Sequence, residues 1–158
     1  MYIADWGNNR IRKIENGLVI TVAGGGPLIA ESGNATAIRL SAPESIDVKD
    51  GLLVITDTNA NLVRSVKDGQ MRTILGTRQP NLTGFPPVGD ALSTNITRPN
   101  SIAIGDGVLY VGLRLNRAIL TMAIEVDGAP TATSTSVPTD TAVATSPILP
   151  RRLQEYRP

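Results

Sequence analysis

The chain has 158 residues, of which 41% are hydrophobic and 18% are charged, with a net charge of +1. This length and composition predict one globular domain, and the near-zero charge argues against a strongly electrostatic nucleic-acid binder. The chain has no Cys and no His, which excludes disulfides, the commonest general base and the commonest zinc ligand. The sequence has no run of about 18 apolar residues, so we predict no membrane-spanning helix.

A repeat dominates the chain from its first residues. The stretch at 3–14 (IADWGNNRIRKI) consists of a strand pattern, a polar turn and a second strand pattern. It returns 52 residues later at 55–66 (ITDTNANLVRSV) and, more weakly, at 110–118 (YVGLRLNRA). Landmarks such as Pro43 and Pro99 recur 56 residues apart. A period near 50 residues is typical of propeller blades.

The one complete copy contains four candidate strands, at 45–48, 52–56, 62–66 and 71–75. These segments are rich in Ile, Val and Thr, as is typical of strands. Asp-Gly dipeptides separate the first strand from the second and the third from the fourth. Because Asp-Gly strongly favours tight hairpins, we predict an antiparallel four-stranded meander.

These patterns predict an all-β fold, a partial β-propeller of four-stranded antiparallel blades with fewer than three blades present. The propeller part occupies residues 1–126, with blade parts at about 2–24, 43–76 and 99–124. Residues 127–158 are rich in Thr, Ser and Pro, and we predict a disordered linker or tail there. A closed ring needs at least about four blades, so we expect a piece of a longer protein whose open blade edges favour self-association.

The motifs at 2–14, at 21–24 (TVAG) and at 35–40 resemble those of the NHL repeat family. The resemblance covers roughly residues 2–122. It implies a six-bladed propeller of the kind used mostly to bind proteins, RNA or small ligands. Some relatives are enzymes, including an amidating lyase that holds zinc with histidines.

The chain departs from the family pattern at three positions. Trp6 replaces a small polar residue, Leu62 replaces the Arg of the second copy, and Gly112 replaces the Asp of the third. Only the first copy keeps both Asp5 and Arg10. We therefore expect a turn held by an Asp–Arg pair in that copy alone.

The acidic residues of the repeat are candidates for chemistry, but their positions favour a structural role. Asp5 and Asp57 precede the same turn in different copies, where Asp commonly caps backbone N–H groups. Asp47, Asp50 and Asp57 could together present carboxylates to a calcium ion, but their spacing does not favour such a site. Without His, Cys or another catalytic arrangement, we predict no catalytic, cofactor or metal site and lean away from an enzyme.

The residues that best fit a binding surface lie near the repeated turn: Trp6, Arg10, Arg64 and Arg117. Exposed Trp and Arg are frequent anchors of protein interfaces. The preferred hypothesis is a non-catalytic binding or scaffold module for a protein or small ligand. The alternatives are a fragment of a propeller enzyme, lyase or hydrolase-like, with its active-site residues outside this chain, and RNA binding through an Arg-bearing face.

Three glycosylation sequons begin at Asn34, Asn81 and Asn95, all in segments predicted to connect the blades. Together with the Thr/Ser/Pro-rich tail they favour an extracellular glycoprotein.

Overall fold

The computed structural model describes residues 1–87, 89–124 and 130–138, the last range by its backbone alone. The described residues form three antiparallel sheets and no α-helix, so the all-β prediction is confirmed. None of these three sheets closes into a barrel.

Each sheet is built on an antiparallel meander. The first sheet contains β1 (Tyr2–Asp5), β2 (Arg10–Glu15) and β3 (Leu18–Gly24). The second contains β4 (Ser32–Asn34), β5 (Pro43–Lys49), β6 (Leu52–Asp57), β7 (Leu62–Lys67) and β8 (Gln70–Leu75), in the spatial order β4-β8-β7-β6-β5. The third contains β9 (Ser101–Gly105), β10 (Val108–Leu113), β11 (Ala118–Ile124) and β12 (Pro130–Pro138). Among these strands only β4 departs from the meander, since β4 pairs with β8 and not with its chain neighbour β5.

The four strands predicted for the complete copy are all present as β5 to β8. Each observed strand contains the predicted segment and extends it by one or more residues. The tight turns predicted at Asp50-Gly51 and Asp68-Gly69 are also present, and the same turn occurs at Asn16-Gly17 and Asp106-Gly107. In Asn16-Gly17, Asp50-Gly51, Asp68-Gly69 and Asp106-Gly107 the first residue has φ of 49–50° and the second 74–77°. Two successive positive φ angles are the mark of the type I′ hairpin, which suits the twist of the flanking strands.

The third sheet differs from the predicted division of the chain. A fourth strand, β12, pairs antiparallel with β11 and lies within the range 127–158 that the sequence analysis assigned to the tail. The sequence analysis did not predict β12 because its Thr- and Ser-rich composition is also typical of disordered segments, although Thr is a favourable strand residue. Residues 139–158 lie outside the described part of the chain.

The second sheet lies between the other two and is buried on both faces. Along β6, Leu53 and Ile55 point into a core shared with the first sheet. Their neighbours Leu52 and Val54 point into a core shared with the third sheet. Successive strand residues face opposite sides, so a continuous apolar run is what a doubly covered strand requires.

Side chains on β5 also join the second sheet to the third. Ser45 Oγ accepts the backbone N–H of Ile102 at 3.2 Å, and Asp47 Oδ2 accepts that of Ile104 at 2.7 Å. These bonds satisfy backbone donors on β9 and fix the two sheets against each other.

Candidate functional site

The residues of the repeated turn were the candidates for function, so their contacts decide what the turn can do. We call the segments 6–9, 58–61 and 114–117 the long turns of the first, second and third sheet. We call residues 25–42 the first connector and 76–100 the second connector.

A buried ion pair fixes the long turn of the second sheet. Arg64 Nε donates to Asp57 Oδ2 at 3.1 Å, and both side chains are fully buried. Asp57 Oδ1 accepts the backbone N–H of Ser41 at 2.6 Å. The predicted capping of this turn by Asp57 is wrong, because its carboxylate binds Arg64 and the first connector instead.

The guanidinium of Arg64 also reaches the outer strand and the first connector. Its Nη1 donates to Thr73 Oγ1 at 3.0 Å and to the carbonyl oxygen of Ala30 at 2.8 Å. A β-bulge between Val63 and Arg64 brings Arg64 opposite Thr73. Arg64 thus links strand β6, strand β8 and the first connector.

Glu31 extends this network to the surface. It accepts hydrogen bonds from the Thr73 hydroxyl and from Arg78 Nε, the latter at 2.7 Å. Burial acts to raise the pKa of Glu31, but the hydrogen bonds from Thr73 and Arg78 outweigh it and hold the pKa below its usual value. For Asp57 burial dominates and raises the pKa, against the hydrogen bonds from Ser41 and Arg64.

The first sheet repeats the same arrangement 52 residues earlier. Arg12 Nε donates to Asp5 Oδ2 at 3.1 Å and Arg12 Nη1 to Thr21 Oγ1 at 2.6 Å. The hydrogen bond from Asn8, and after it Arg12, hold the pKa of Asp5 below its usual value. Arg10, the predicted partner, lies directly opposite Asp5, but Arg12 lies two residues along the same face and makes the pair.

The expectation that only the first copy holds an Asp–Arg pair is therefore wrong. Leu62 removes nothing from the second copy, since Arg64 supplies the cation. In the third sheet the residue that corresponds to Asp57 is Leu113, not Gly112, because Leu113 is the last paired residue before the long turn. Leu120 correspondingly takes the position of Arg64, and both leucines are buried.

The recurring Asn residues hold the connectors. Asn9 and Asn61 end their long turns in the left-handed region, with φ of 54° and 57°. Their Oδ1 atoms accept backbone N–H groups from Ala42 at 2.7 Å and from Arg98 at 2.9 Å. Each of these turns therefore holds the connector that leads into the next sheet.

The four predicted binding residues have different surroundings. Trp6 is 57% exposed at the start of its long turn, and Arg117 is exposed at the end of another. Arg10 is half-buried over Gly25, and its Nε has no hydrogen-bond partner among the described residues. Arg64 is fully buried, so it does not contribute to any surface.

Beside the long turns of the second and third sheets lies an open cleft of about 360 Å³. Arg114 occupies the position in its turn that Trp6 and Thr58 occupy in theirs. Across 1–87 and 89–124, neither Arg98 nor Arg114 has a carboxylate within ion-pair distance. The cleft is lined by Glu44, Thr58, Arg98, Asn100, Arg114 and Leu115.

Sequence reasoning missed Arg98 and Glu44. Arg98 lies in the second connector, and Glu44 lies in β5. The spacing of Arg98 and Glu44 along the sequence does not indicate that they lie beside the long turn of the third sheet. The one sequence signal for the position of Arg98 was the recurring Asn61, whose side chain accepts a hydrogen bond from the backbone of the second connector.

The acidic residues considered for calcium do not gather. Asp47 binds the backbone of Val48 and Ile104, whereas Asp57 binds Arg64. Within the described ranges, no three His, Cys, Asp or Glu side chains come close enough to hold a metal ion. The same ranges contain no helix suited in length and hydropathy to cross a membrane.

The sequons have unequal access. Asn34 is exposed but lies in the short strand β4, not in a loop as predicted. Asn81 is buried, and its Oδ1 accepts the N–H of Thr83 at 3.0 Å. Asn95 is exposed in the second connector.

Comparison with known proteins shows similarity of fold alone. No family model matches the chain, and no curated protein matches its sequence. It is similar to the crystal structure of a structural-genomics protein of unknown function from Bacteroides thetaiotaomicron, with a TM-score of 0.56 and 18% identity. The match covers 86% of this chain and 32% of the other, so this chain spans about a third of that protein's length.

Proposed function

We propose that this chain is a non-catalytic binding module built from NHL-type repeats, whose sheets are blades of a β-propeller. It binds a segment of another protein in the cleft beside the long turns. Arg98, Arg114 and Leu115 contact the bound segment in the cleft. Trp6, which lies outside the cleft, has in the first sheet the position that Arg114 has in the third.

The propeller part of the proposal rests on the repeat and its packing. Three meander sheets follow one another in the chain, and the middle one is covered on both faces. The long turns and connectors are joined by the same Asn contact in two successive copies. Face-to-face meanders of this kind are what a propeller requires.

One observation supports the binding site most directly: two guanidinium groups that have no ion-pair partner among the described residues lie in one cleft with an exposed apolar side chain. Arginine is enriched at interfaces because its planar fork binds carboxylates by two parallel hydrogen bonds. Leu115 is exposed beside Arg114. This chemistry fits a peptide that carries a Glu or Asp next to a large aliphatic residue.

The catalytic alternative has little support among the described residues. The carboxylates of Asp5, Asp57 and Glu31 all bind arginines that hold the sheets together. Burial raises the pKa of Asp57, whereas hydrogen bonds lower the pKa of Asp5 and, against burial, that of Glu31, so each shift has a structural cause. Glu44 is the carboxylate that lines the cleft, and no His or Cys accompanies it, since the chain has neither.

Fluorescence anisotropy with a labelled peptide of alternating Glu and Leu tests the proposal. The matched peptide has Gln in place of Glu. We expect Arg98→Ala and Arg114→Ala each to raise the Kd for the Glu peptide roughly tenfold, which corresponds to ~1.4 kcal/mol. The control Lys49→Ala changes an exposed cation outside the cleft and should leave the Kd unchanged.

Equal binding of the Glu and Gln peptides, or equal effects of all three variants, would overturn the carboxylate-binding site. A labelled oligouridylate in the same assay tests RNA binding. Tighter binding of this RNA than of the peptide, with affinity that falls steeply as salt rises, would replace the protein ligand by RNA.

A further inference from the structure

Glu44 is the acidic residue that lines the cleft, beside Arg98 and Arg114. It is exposed, and its carboxylate makes no ion pair or hydrogen bond with any described residue. The other two glutamates in the described part of the chain, Glu15 and Glu31, each bind a cation. The charge of Glu44 is therefore available to a group from outside the chain.

A β-bulge in β5 carries Glu44 at the edge of the cleft. The pairing of β5 with β6 shifts between Pro43 and Ile46. Two residues of β5, Glu44 and Ser45, therefore face the single residue Thr56 of β6. The buried Thr56 hydroxyl accepts the Ser45 N–H at 2.9 Å and holds the bulge. Bulges re-aim side chains and are frequent beside functional sites, and this one is fixed without the Glu44 carboxylate.

The repeat shows that the fold does not require an acid at this position. The residue that corresponds to Glu44 in the third sheet is Asn100, which lies 56 residues further on and lines the same cleft. The Asn100 N–H donates to the carbonyl oxygen of Gly112 at 3.1 Å, so its backbone, not its side chain, holds it in place. A neutral amide therefore suits the same place in the repeat, and the negative charge is particular to Glu44.

The cationic side of the cleft has a fixed backbone. Arg98 has φ of 44°, and the Thr58 hydroxyl donates to the carbonyl oxygen of the next residue, Pro99, at 2.7 Å. Neither Arg98 nor Arg114 comes within ion-pair distance of Glu44. The two signs of charge thus remain separate in one cleft, on a backbone that needs little ordering before it binds a ligand.

We infer that the segment bound in the cleft carries a basic side chain next to its carboxylate, and that Glu44 pairs with this cation. The inference rests on the proposed function, in which Arg98 and Arg114 bind the carboxylate. A cleft lined by two cations and one anion is complementary to a segment of mixed charge. Glu44 then determines specificity, because it favours Lys or Arg beside Glu or Asp and disfavours a segment that is only acidic.

Two labelled peptides test this inference by fluorescence anisotropy with the full chain. One repeats Glu-Leu-Lys, and the other has acetyl-lysine at each Lys, which removes the positive charge and keeps the aliphatic stem. We expect the wild type to bind the Lys peptide about fivefold more tightly, the upper range for an exposed ion pair. Glu44→Gln should bind both peptides equally, with the Kd that the wild type has for the acetylated one.

The matched control is Glu15→Gln, which removes the same charge from an exposed residue outside the cleft. It should keep the fivefold preference for the Lys peptide. Arg98→Ala should weaken both peptides by the same factor, because it removes the carboxylate contact and leaves the Glu44 contact in place. Circular dichroism confirms that each variant is folded.

Equal binding of the two peptides by the wild type, with Arg98→Ala still weakening both, would overturn the inference and leave the carboxylate site of the proposed function intact. A preference for the Lys peptide that persists in Glu44→Gln would overturn it as well, since the cation would then bind elsewhere. If neither peptide binds the wild type, the inference and the proposed function fail together.

Discussion

Arg64 Nε lies 3.1 Å from Asp57 Oδ2, and neither side chain has any exposure to solvent. The same pair in the first sheet, Arg12 and Asp5, has the same 3.1 Å separation but is about a quarter exposed. One contact therefore occurs twice in this chain, in two dielectric environments. The protein contains its own control for the energetics of a buried ion pair.

Removing one partner of the buried pair should be strongly destabilising. Arg64→Leu leaves the Asp57 carboxylate buried without its cation, and Asp57→Leu leaves the guanidinium without its anion. We expect each to lower the free energy of unfolding by about 3–5 kcal/mol, measured by urea denaturation. Arg12→Leu in the exposed pair should cost less than about 1 kcal/mol.

The double variant Asp57→Leu/Arg64→Leu should recover much of that loss. The third sheet already has Leu113 and Leu120 at these positions, both buried. A well-packed apolar pair is often as stable as the ion pair it replaces, because no charge has to leave water. A double variant as unstable as the sum of its single variants would contradict this prediction.

The strands and tight turns were predictable from the sequence because their signals are local. The continuous apolar run of β6 and the Asp-Gly turns specify their own conformations without reference to distant residues. The spacings of 52 residues between the first two copies and 56 between the next two then place equivalent strands in successive sheets. The fold class follows from these elements alone.

The contacts of the candidate site depend on distant residues and were predictable only in part. The family resemblance predicts Arg10 as the partner of Asp5, but Arg12, which lies on the same face of the strand, makes the pair. The burial of Arg64 depends on the first connector, whose path has no periodic signal. The cleft beside Arg114 likewise depends on how one sheet packs against the next.

The glycine that ends β8 is fixed by a close approach of the backbone. Gly76 has φ of 101°, and a Cβ there would collide with the backbone oxygen of Asn61. Gly76→Ala should therefore lower the free energy of unfolding by roughly 1–3 kcal/mol. Gly7→Ala is the control, since a Cβ at Gly7 meets nothing and its φ is not positive; we expect a change within about 0.5 kcal/mol. Equal thermal midpoints for the two variants would refute the role of Gly76.

Asn61 combines two functions that two substitutions separate. Asn61→Gly keeps the left-handed backbone and loses the hydrogen bond to the Arg98 N–H, a loss of about 0.5–1.5 kcal/mol. Asn61→Ala loses the same bond and adds the cost of φ at 57° for a residue with a Cβ, about 1–2 kcal/mol more. Both should speed amide exchange at Arg98, as followed by NMR. An alanine variant as stable as the glycine variant would show that the backbone conformation carries no cost.

Glu31 should make part of the stability depend on pH. The hydrogen bonds from Thr73 and Arg78 outweigh burial and lower its pKa in the folded state below the usual 4.5. Folding therefore favours the ionised carboxylate. Its stabilisation is complete above the unfolded-state pKa and is lost as the pH falls through the folded-state pKa.

Glu31→Gln removes this titration and keeps the shape of the side chain. We expect the wild type to be more stable than the variant at neutral pH by no more than about 1 kcal/mol, since the side chain is more than half exposed. The difference should shrink to zero as the pH falls below 4.5, measured by urea denaturation at each pH. The raised pKa of Asp57 gives an opposite dependence of stability on pH. Because Asp57 is present in both proteins, its contribution largely cancels in the difference between them. A difference that stays constant from neutral to acid pH would mean that the Glu31 charge contributes nothing to the fold.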